Sequence, residues 1–165
     1  MFRRTVLFAA ALTMFPGLAA AQANVRVEPA HLNGPRELAP QTAQAVIRDY
    51  LRSWKAMSAA LAQNRPTLLN SEFVGTAKDK LTATIHDQTA AGMHTVYQDR
   101  AHDLQIDFYS PEGLSIELTD TVDYDEQVYD GDKLLTTQPV HARYLVMMTP
   151  SEVSWRVRVL QAGNP

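Results

Sequence analysis

The clearest alternation of apolar and polar positions lies near the C-terminal end. Val153, Trp155, Val157 and Val159 alternate with Ser154, Arg156 and Arg158, the period of two that a strand with one buried face requires. His141–Met148 precedes this arm across Thr149-Pro150-Ser151-Glu152, and the two arms predict a β-hairpin. Burying four such apolar side chains contributes about 1.5–3 kcal/mol each, so their face demands a cover. Tyr144-Leu145-Val146-Met147-Met148 is apolar on both faces, as in a strand inside a sheet. Upstream, Leu104, Ile106 and Phe108 alternate with Gln105, Asp107 and Tyr109. Ser110-Pro111-Glu112-Gly113 turns the chain, after which Leu114, Ile116, Leu118, Val122 and Tyr124 share a face. His94–Gln98 is out of phase with Leu104–Phe108, which predicts a bulge or bend near Arg100. Asp130-Gly131 marks a further turn.

Ahead of the strands the period is helical. Val46, Ile47, Tyr50, Leu51, Trp54, Met57 and Leu61 form one stripe, with Arg48, Asp49, Arg52 and Lys55 off it. Pro40 suits a first helical turn, and Asn64-Arg65-Pro66 stops the helix. A short turn bearing Leu68, Leu69, Phe73 and Val74 leads to a second helix, with Leu81 and Ile85 on its buried side. Thr76 and Asp79 have capping-box spacing, and Gly92 marks the far end. Helices followed by a run of strands predict an α+β fold with the N-terminal helices packed on one face of a curved antiparallel sheet.

At 165 residues with 45% apolar and 20% charged residues, the chain has the size and composition of one globular domain. Its first residues do not belong to that domain. Arg3-Arg4, the apolar run Thr5–Phe15, Pro16-Gly17 and Ala19-Ala20-Ala21 have the layout of a secretory signal peptide. The run is too short to span a bilayer as a helix. The expected organisation is a signal at 1–21, cleaved after Ala21 or Ala23, an extended arm at 22–40, and a domain at 41–161. The mature chain is then periplasmic or secreted by the general secretory route, with no stable membrane anchor. Losing Arg3 and Arg4 takes the formal charge from −3 to −5. This balance argues against nucleic acid and anionic lipid, both of which need basic surface. With no cysteine, the domain has no disulfide and no thiol chemistry.

The candidate chemistry centres on Asp120, which falls on the apolar line Leu114-Ile116-Leu118-Asp120-Val122-Tyr124. Regular strand geometry aims it inward, where it could act as a general base. Tyr50, Trp54, Tyr97, Tyr124 and Tyr144 would line the same hollow with it as ligand-binding residues. A bulge or a place on the sheet rim would instead leave the carboxylate on backbone N–H groups or water, and that ordinary fate is the expectation here. From Asp99 to Asp132 there are eleven carboxylates and one arginine, read as a solvated outer sheet face. Asp123-Tyr124-Asp125 and Asp130-Gly131-Asp132 lack the loop spacing of a calcium hand. His31, His86, His94, His102 and His141 are scattered, without the paired spacing of a zinc site, and are expected at the surface or hydrogen-bonded. No metal or other cofactor is expected. Gly-x-Ser-x-Gly and phosphate-cradling glycine motifs do not occur.

Four stretches taken together resemble the nuclear-transport-factor-2-like (NTF2-like, cystatin-like cone) superfamily. They are Ala45–Leu61 with Trp54, Leu68–Gly92, the acidic-aromatic Tyr124–Gly131, and Tyr144–Val159 with Trp155. Within the superfamily the order is similar to the intermembrane-space domain of the plastid and cyanobacterial division anchor, which however follows a transmembrane helix. The resemblance implies a cone-shaped fold and either partner binding or chemistry in the cone's cavity. The resulting expectation is an exported binding domain for a partner protein, peptide or small apolar ligand, acting without catalysis, with the pocket between helix Pro40–Ala62 and the sheet. The alternative is a cavity enzyme of the isomerase or cyclase type using Asp120. A homodimer through the open sheet face, carrying Arg143, Arg156 and Arg158 beside the acidic row, is a further expectation.

Overall fold

The computed structural model describes residues 23–163 except 31, 33 and 35. The expected signal at 1–21 and the expectation for His31 lie outside the described residues. Strand β1 (Asn24–Val27) is followed by helix α1 (Pro40–Ala62), a 3₁₀ turn (Pro66–Leu69), helix α2 (Gly75–Ala90) and strands β2 (Met93–Tyr109), β3 (Ile116–Asp130), β4 (Lys133–Pro150) and β5 (Trp155–Gly163). The strands form one sheet in the order β1-β2-β3-β4-β5. The helices cover its concave face.

Strands β2 to β5 are antiparallel, as the pattern predicts, but β1 adds in parallel to the outer edge of β2. All four β1 side chains are exposed, so backbone pairing with Ala101–Leu104 holds it. Residues Asn24–Val27 of the expected arm are thus a strand held on the sheet. Beyond β1, Arg36 lies 4.7 Å over the Tyr109 ring and donates to the Pro111 carbonyl at 2.6 Å.

Helix α1 starts at Pro40 and ends where Asn64 takes a left-handed φ of 51°. The Asn64 amide donates to the Met93 carbonyl at 2.8 Å and its oxygen accepts from Gln88 at 2.6 Å. Those two bonds tie the end of α1 to α2 and β2. The buried stripe is Val46, Asp49, Tyr50, Ser53, Trp54, Met57, Ala60 and Leu61, spaced at three and four residues. Asp49, expected off the stripe, is on it. Its Oδ2 accepts from the Trp155 backbone N–H at 2.8 Å, while Arg48 and Arg52 lie 3.0 and 3.3 Å from Oδ1. The expected capping box on α2 does not form. Val74 is the N-cap, and the Thr76 hydroxyl donates instead to the Arg158 carbonyl at 3.1 Å. The connection between the helices also seals the β5 edge: Val74 N–H donates to the Val157 carbonyl and Val157 N–H to the Glu72 carbonyl.

Bulges decide which side chains face the helices. The register shifts between Asp99 and Ala101, placing a bulge at Arg100 as expected, and again between Ile106 and Phe108. The second shift sends Tyr109 inward and Phe108 outward, the reverse of strict alternation. A third shift, where Met147 pairs with Val159 but Met148 with Val157, leaves Arg158 unpaired. Val157 and Leu160 therefore face the core and Val159 the other side, against the expected Val153-Trp155-Val157-Val159 face. Val153 sits in the connecting loop, 90% exposed. Strand β4 buries only one face, since Leu145 is 49% exposed on the other. The core is completed by Leu69, Phe73, Ile85, Leu104, Ile106, Ile116, Leu118, Val122, Val146 and Met148, all buried.

Candidate functional site

Tyr50 and Trp54 lie four residues apart on α1, so both project from one helix face toward the sheet. The sheet offers three paired rows beneath them: Leu104–Asp120–Tyr144, His102–Val122–Ala142 and Asp99–Tyr124–Val140. Asp120 lies within the regular part of β3 and points inward. It is completely buried, which corrects the expected rim or bulge placement. Tyr50 donates its hydroxyl to Asp120 Oδ2 at 2.6 Å, and His102 Nδ1 lies 2.8 Å from the same oxygen. Asp120 Oδ1 is buried and, among the described residues, has no hydrogen-bond partner. Burial first, then the facing Asp120 carboxylate, holds the Tyr50 phenol well above its ordinary pKa.

Trp54 fills the centre of the cone. Its ring meets His102, Tyr124 and Tyr144 edge-on at centroid distances of 5.1, 5.8 and 5.6 Å, and lies 6.2 Å from Tyr97. Such edge-to-face pairs add about 0.5–1.5 kcal/mol beyond area burial. The indole N–H donates to Asp99 Oδ1 at 2.9 Å, so the polar end of the ring is satisfied inside the protein. Tyr97 and Tyr124 pack against each other at a tilt of 41° with centroids 4.5 Å apart, and the Tyr124 and Tyr144 hydroxyls are 3.4 Å apart. Desolvation raises the pKa of both Tyr97 and Tyr124, with the Tyr144 hydroxyl adding to each.

The six residues singled out in the sequence, Tyr50, Trp54, Tyr97, Asp120, Tyr124 and Tyr144, therefore converge on one cluster. Two further members are not singled out by the pattern. His102 reads as one of the scattered histidines, although it stands two residues before Leu104 and so on the same inward line once the Arg100 bulge resets the phase. Asp99 reads as part of the acidic face but turns in to meet Trp54. Outside the cluster, Asp49 has the spacing of the helix stripe but the charge of an exposed position, and its partner is the Trp155 N–H. Two carboxylates of the acidic row have close partners on the convex face: Asp123 Oδ1 lies 2.8 Å from His141 Nδ1 and Asp125 3.2 Å from Arg100.

A carboxylate bonded to an imidazole and a phenol is a set that can move a proton at the carboxylate. Its access is shut: Tyr50, Trp54, His102 and Asp120 are each 2% exposed or less. The pocket expected between α1 and the sheet is occupied by the protein's own aromatic side chains.

The same two-helix, curved-sheet arrangement occurs in solved structures. The fold is an NTF2-like cone. The intermembrane-space region of the chloroplast protein ARC6 superposes with a TM-score of 0.63 at 14% identity, covering 77% of this chain and 98% of that one. A putative scytalone dehydratase from Novosphingobium aromaticivorans gives 0.53 at 16% identity, covering 76% and 89%. Aln2 from a Streptomyces species gives 0.51 at 11% identity, covering 78% and 94%. No protein-family model and no curated protein matches the chain by sequence. Among the described residues no helix is long and apolar enough to cross a membrane.

Proposed function

We propose that this chain is an exported domain that binds a partner protein or peptide through its surface and carries out no chemistry in its cone. The observation that carries this reading is the filled interior. A substrate approaching Asp120 would have to displace Trp54, which is held by four aromatic neighbours and by Asp99. The same obstacle faces a small apolar ligand. Export is supported by the basic residues, short apolar run and small residues of 1–21. The likeness to an intermembrane-space region is in keeping with a domain working outside the compartment of its synthesis.

A second reading has one observation in its favour. Asp120 joins His102 and Tyr50 on one oxygen, and its other oxygen has no partner among the described residues, an arrangement suited to a general base if Trp54 swings aside. A dehydratase-like neighbour shares the fold. The two readings separate on Asp120→Asn. As a binding domain, mature wild-type protein and Asp120→Asn capture the same partner from periplasmic extract, and neither turns over scytalone or a ketosteroid. Saturable turnover by wild type that Asp120→Asn abolishes would replace the first reading with the second.

A further inference from the structure

The outer edge of the sheet is taken up by the chain's own first strand. Strand β1 lies parallel to β2, with Val25 level with His102 and Arg26 with Asp103. Glu28 N–H donates to the Leu104 carbonyl at 2.8 Å, so the two-residue period turns the Arg26 N–H toward β2 and the Val27 N–H away. Side chains add little to this pairing. All four are exposed, and Arg26 approaches Asp103 only to 3.6 Å at the surface, where an ion pair contributes little. Backbone pairing without side-chain burial barely offsets the entropy of ordering the segment. Further along, the arm is anchored. Leu32 and Leu38 pack on the core, and Arg36 lies over Tyr109 and donates to the Pro111 carbonyl. Glu28, Pro29 and Ala30, between strand and anchor, are exposed. Strand β1 is thus weakly held at the end of a fixed arm. It covers only Ala101–Leu104, and Met93–Arg100 of the same edge has no strand partner among the described residues.

We propose that this edge is where a partner binds and that β1 is its built-in competitor: an extended segment of the partner pairs with β2 in place of β1. The inference rests on the reading of the chain as a surface-binding domain and names the surface. What sits there now defines the occupant. It is a strand parallel to β2, rich in β-branched residues as β1 is in Val25 and Val27, with a basic residue level with Asp103. A segment longer than β1 also pairs along Met93–Arg100 and gains hydrogen bonds that β1 does not make. The tethered β1 competes at an effective concentration of about millimolar, so releasing it raises the partner's affinity.

The test uses the full mature chain and a labelled peptide with the sequence of residues 22–28, read by fluorescence anisotropy. Arg26→Pro deletes the N–H that faces β2 and frees the edge without touching the core. This variant is expected to bind the peptide saturably and at least about tenfold more tightly than wild type. N-methylation of the peptide at its arginine is expected to abolish binding, and N-methylation at the valine that follows to leave it unchanged. In wild type, the Arg26 and Glu28 amides are expected to exchange roughly a hundredfold or more faster than those in the centre of β3, through opening of β1 alone. No saturable binding to Arg26→Pro up to about 1 mM would overturn the proposal. So would equal binding by wild type and Arg26→Pro, equal effects of the two methyl groups, or Arg26 exchange as slow as that of β3. A wild-type dimer that Arg26→Pro makes monomeric would give the edge to a second copy and overturn it likewise. Capture of a periplasmic partner equally by wild type and Arg26→Pro would move that partner off this edge and leave the surface-binding reading standing. Peptide binding at the edge with no partner captured by either protein would remove that reading instead and keep the edge as a strand acceptor.

Discussion

The Tyr50 hydroxyl donates to Asp120 Oδ2 at 2.6 Å across seventy residues of sequence. This bond fastens the roofing helix α1 to the centre of β3, and His102 takes the same oxygen from β2. A buried carboxylate is costly unless paired, so these two donors are what allow Asp120 to sit in the core. Tyr50→Phe removes one of them while keeping the ring. A hydrogen bond to a charged group contributes about 1.5–3 kcal/mol, and urea unfolding of Tyr50→Phe is expected to show a loss in that range. A change below about 0.5 kcal/mol, the scale of a surface substitution, would show that the bond carries no weight.

Trp54 occupies the space that a cavity protein would leave for a ligand. Trp54→Ala is expected to cost about 3–5 kcal/mol, the range for deleting a large buried aromatic side chain. If the variant folds, the space it leaves is ringed by His102, Tyr97, Tyr124 and Tyr144, with Asp99 ready to accept an N–H. Added indole should then raise its melting temperature and leave that of wild type unchanged. Absence of any indole effect on a folded Trp54→Ala would mean that the core had collapsed into the gap.

Asp49 joins α1 to the start of β5 through the Trp155 N–H. Asp49→Ala strands that N–H and removes the partner of two arginines, and is expected to cost about 3 kcal/mol in chemical denaturation. Arg48→Ala is expected to cost under about 1 kcal/mol, because that guanidinium is largely in water. Equal losses from the two variants would contradict the assignment of the burden to the Trp155 contact.

Alkaline titration reads the tyrosine cluster. Tyr50, Tyr97 and Tyr124 have folded-state pKa values raised above the 10.0 of a free phenol, in each case chiefly by burial. The folded protein therefore keeps protons that the unfolded chain releases above pH 10. Their contribution to stability is whole below that pH and is lost as pH climbs beyond it. Ultraviolet titration should show these three phenols ionising only with unfolding, whereas exposed phenols ionise reversibly near pH 10. Reversible ionisation of all six tyrosines near pH 10 in folded protein would contradict the burial.

Period and punctuation made much of this fold legible before any coordinates. The spacing of Val46, Tyr50, Trp54, Met57 and Leu61, opened by Pro40 and stopped at Asn64, yields α1 with the observed ends. The phase break at Arg100 and the turns at Ser110–Gly113 and Asp130-Gly131 place the strands. Each of these is a local property: a backbone angle, a missing N–H, or the projection of neighbouring side chains.

What the chain determined by itself is accordingly the kind and order of its elements, and the apolar line on which Asp120 stands. Three-dimensional packing decided the rest. Bulges at Asp107 and Arg158 turned Phe108 and Val159 to the convex side, because one extra residue reverses every later side chain and no local signal announces it. The partners of Asp120, Asp99 and Asp49 come from strands and helices distant in sequence, and a carboxylate's place inside a protein is set by the donors that surround it. Whether the cone is hollow was likewise beyond the reach of pattern, since Trp54 fills it only because four rings from two helices' worth of chain away close around it.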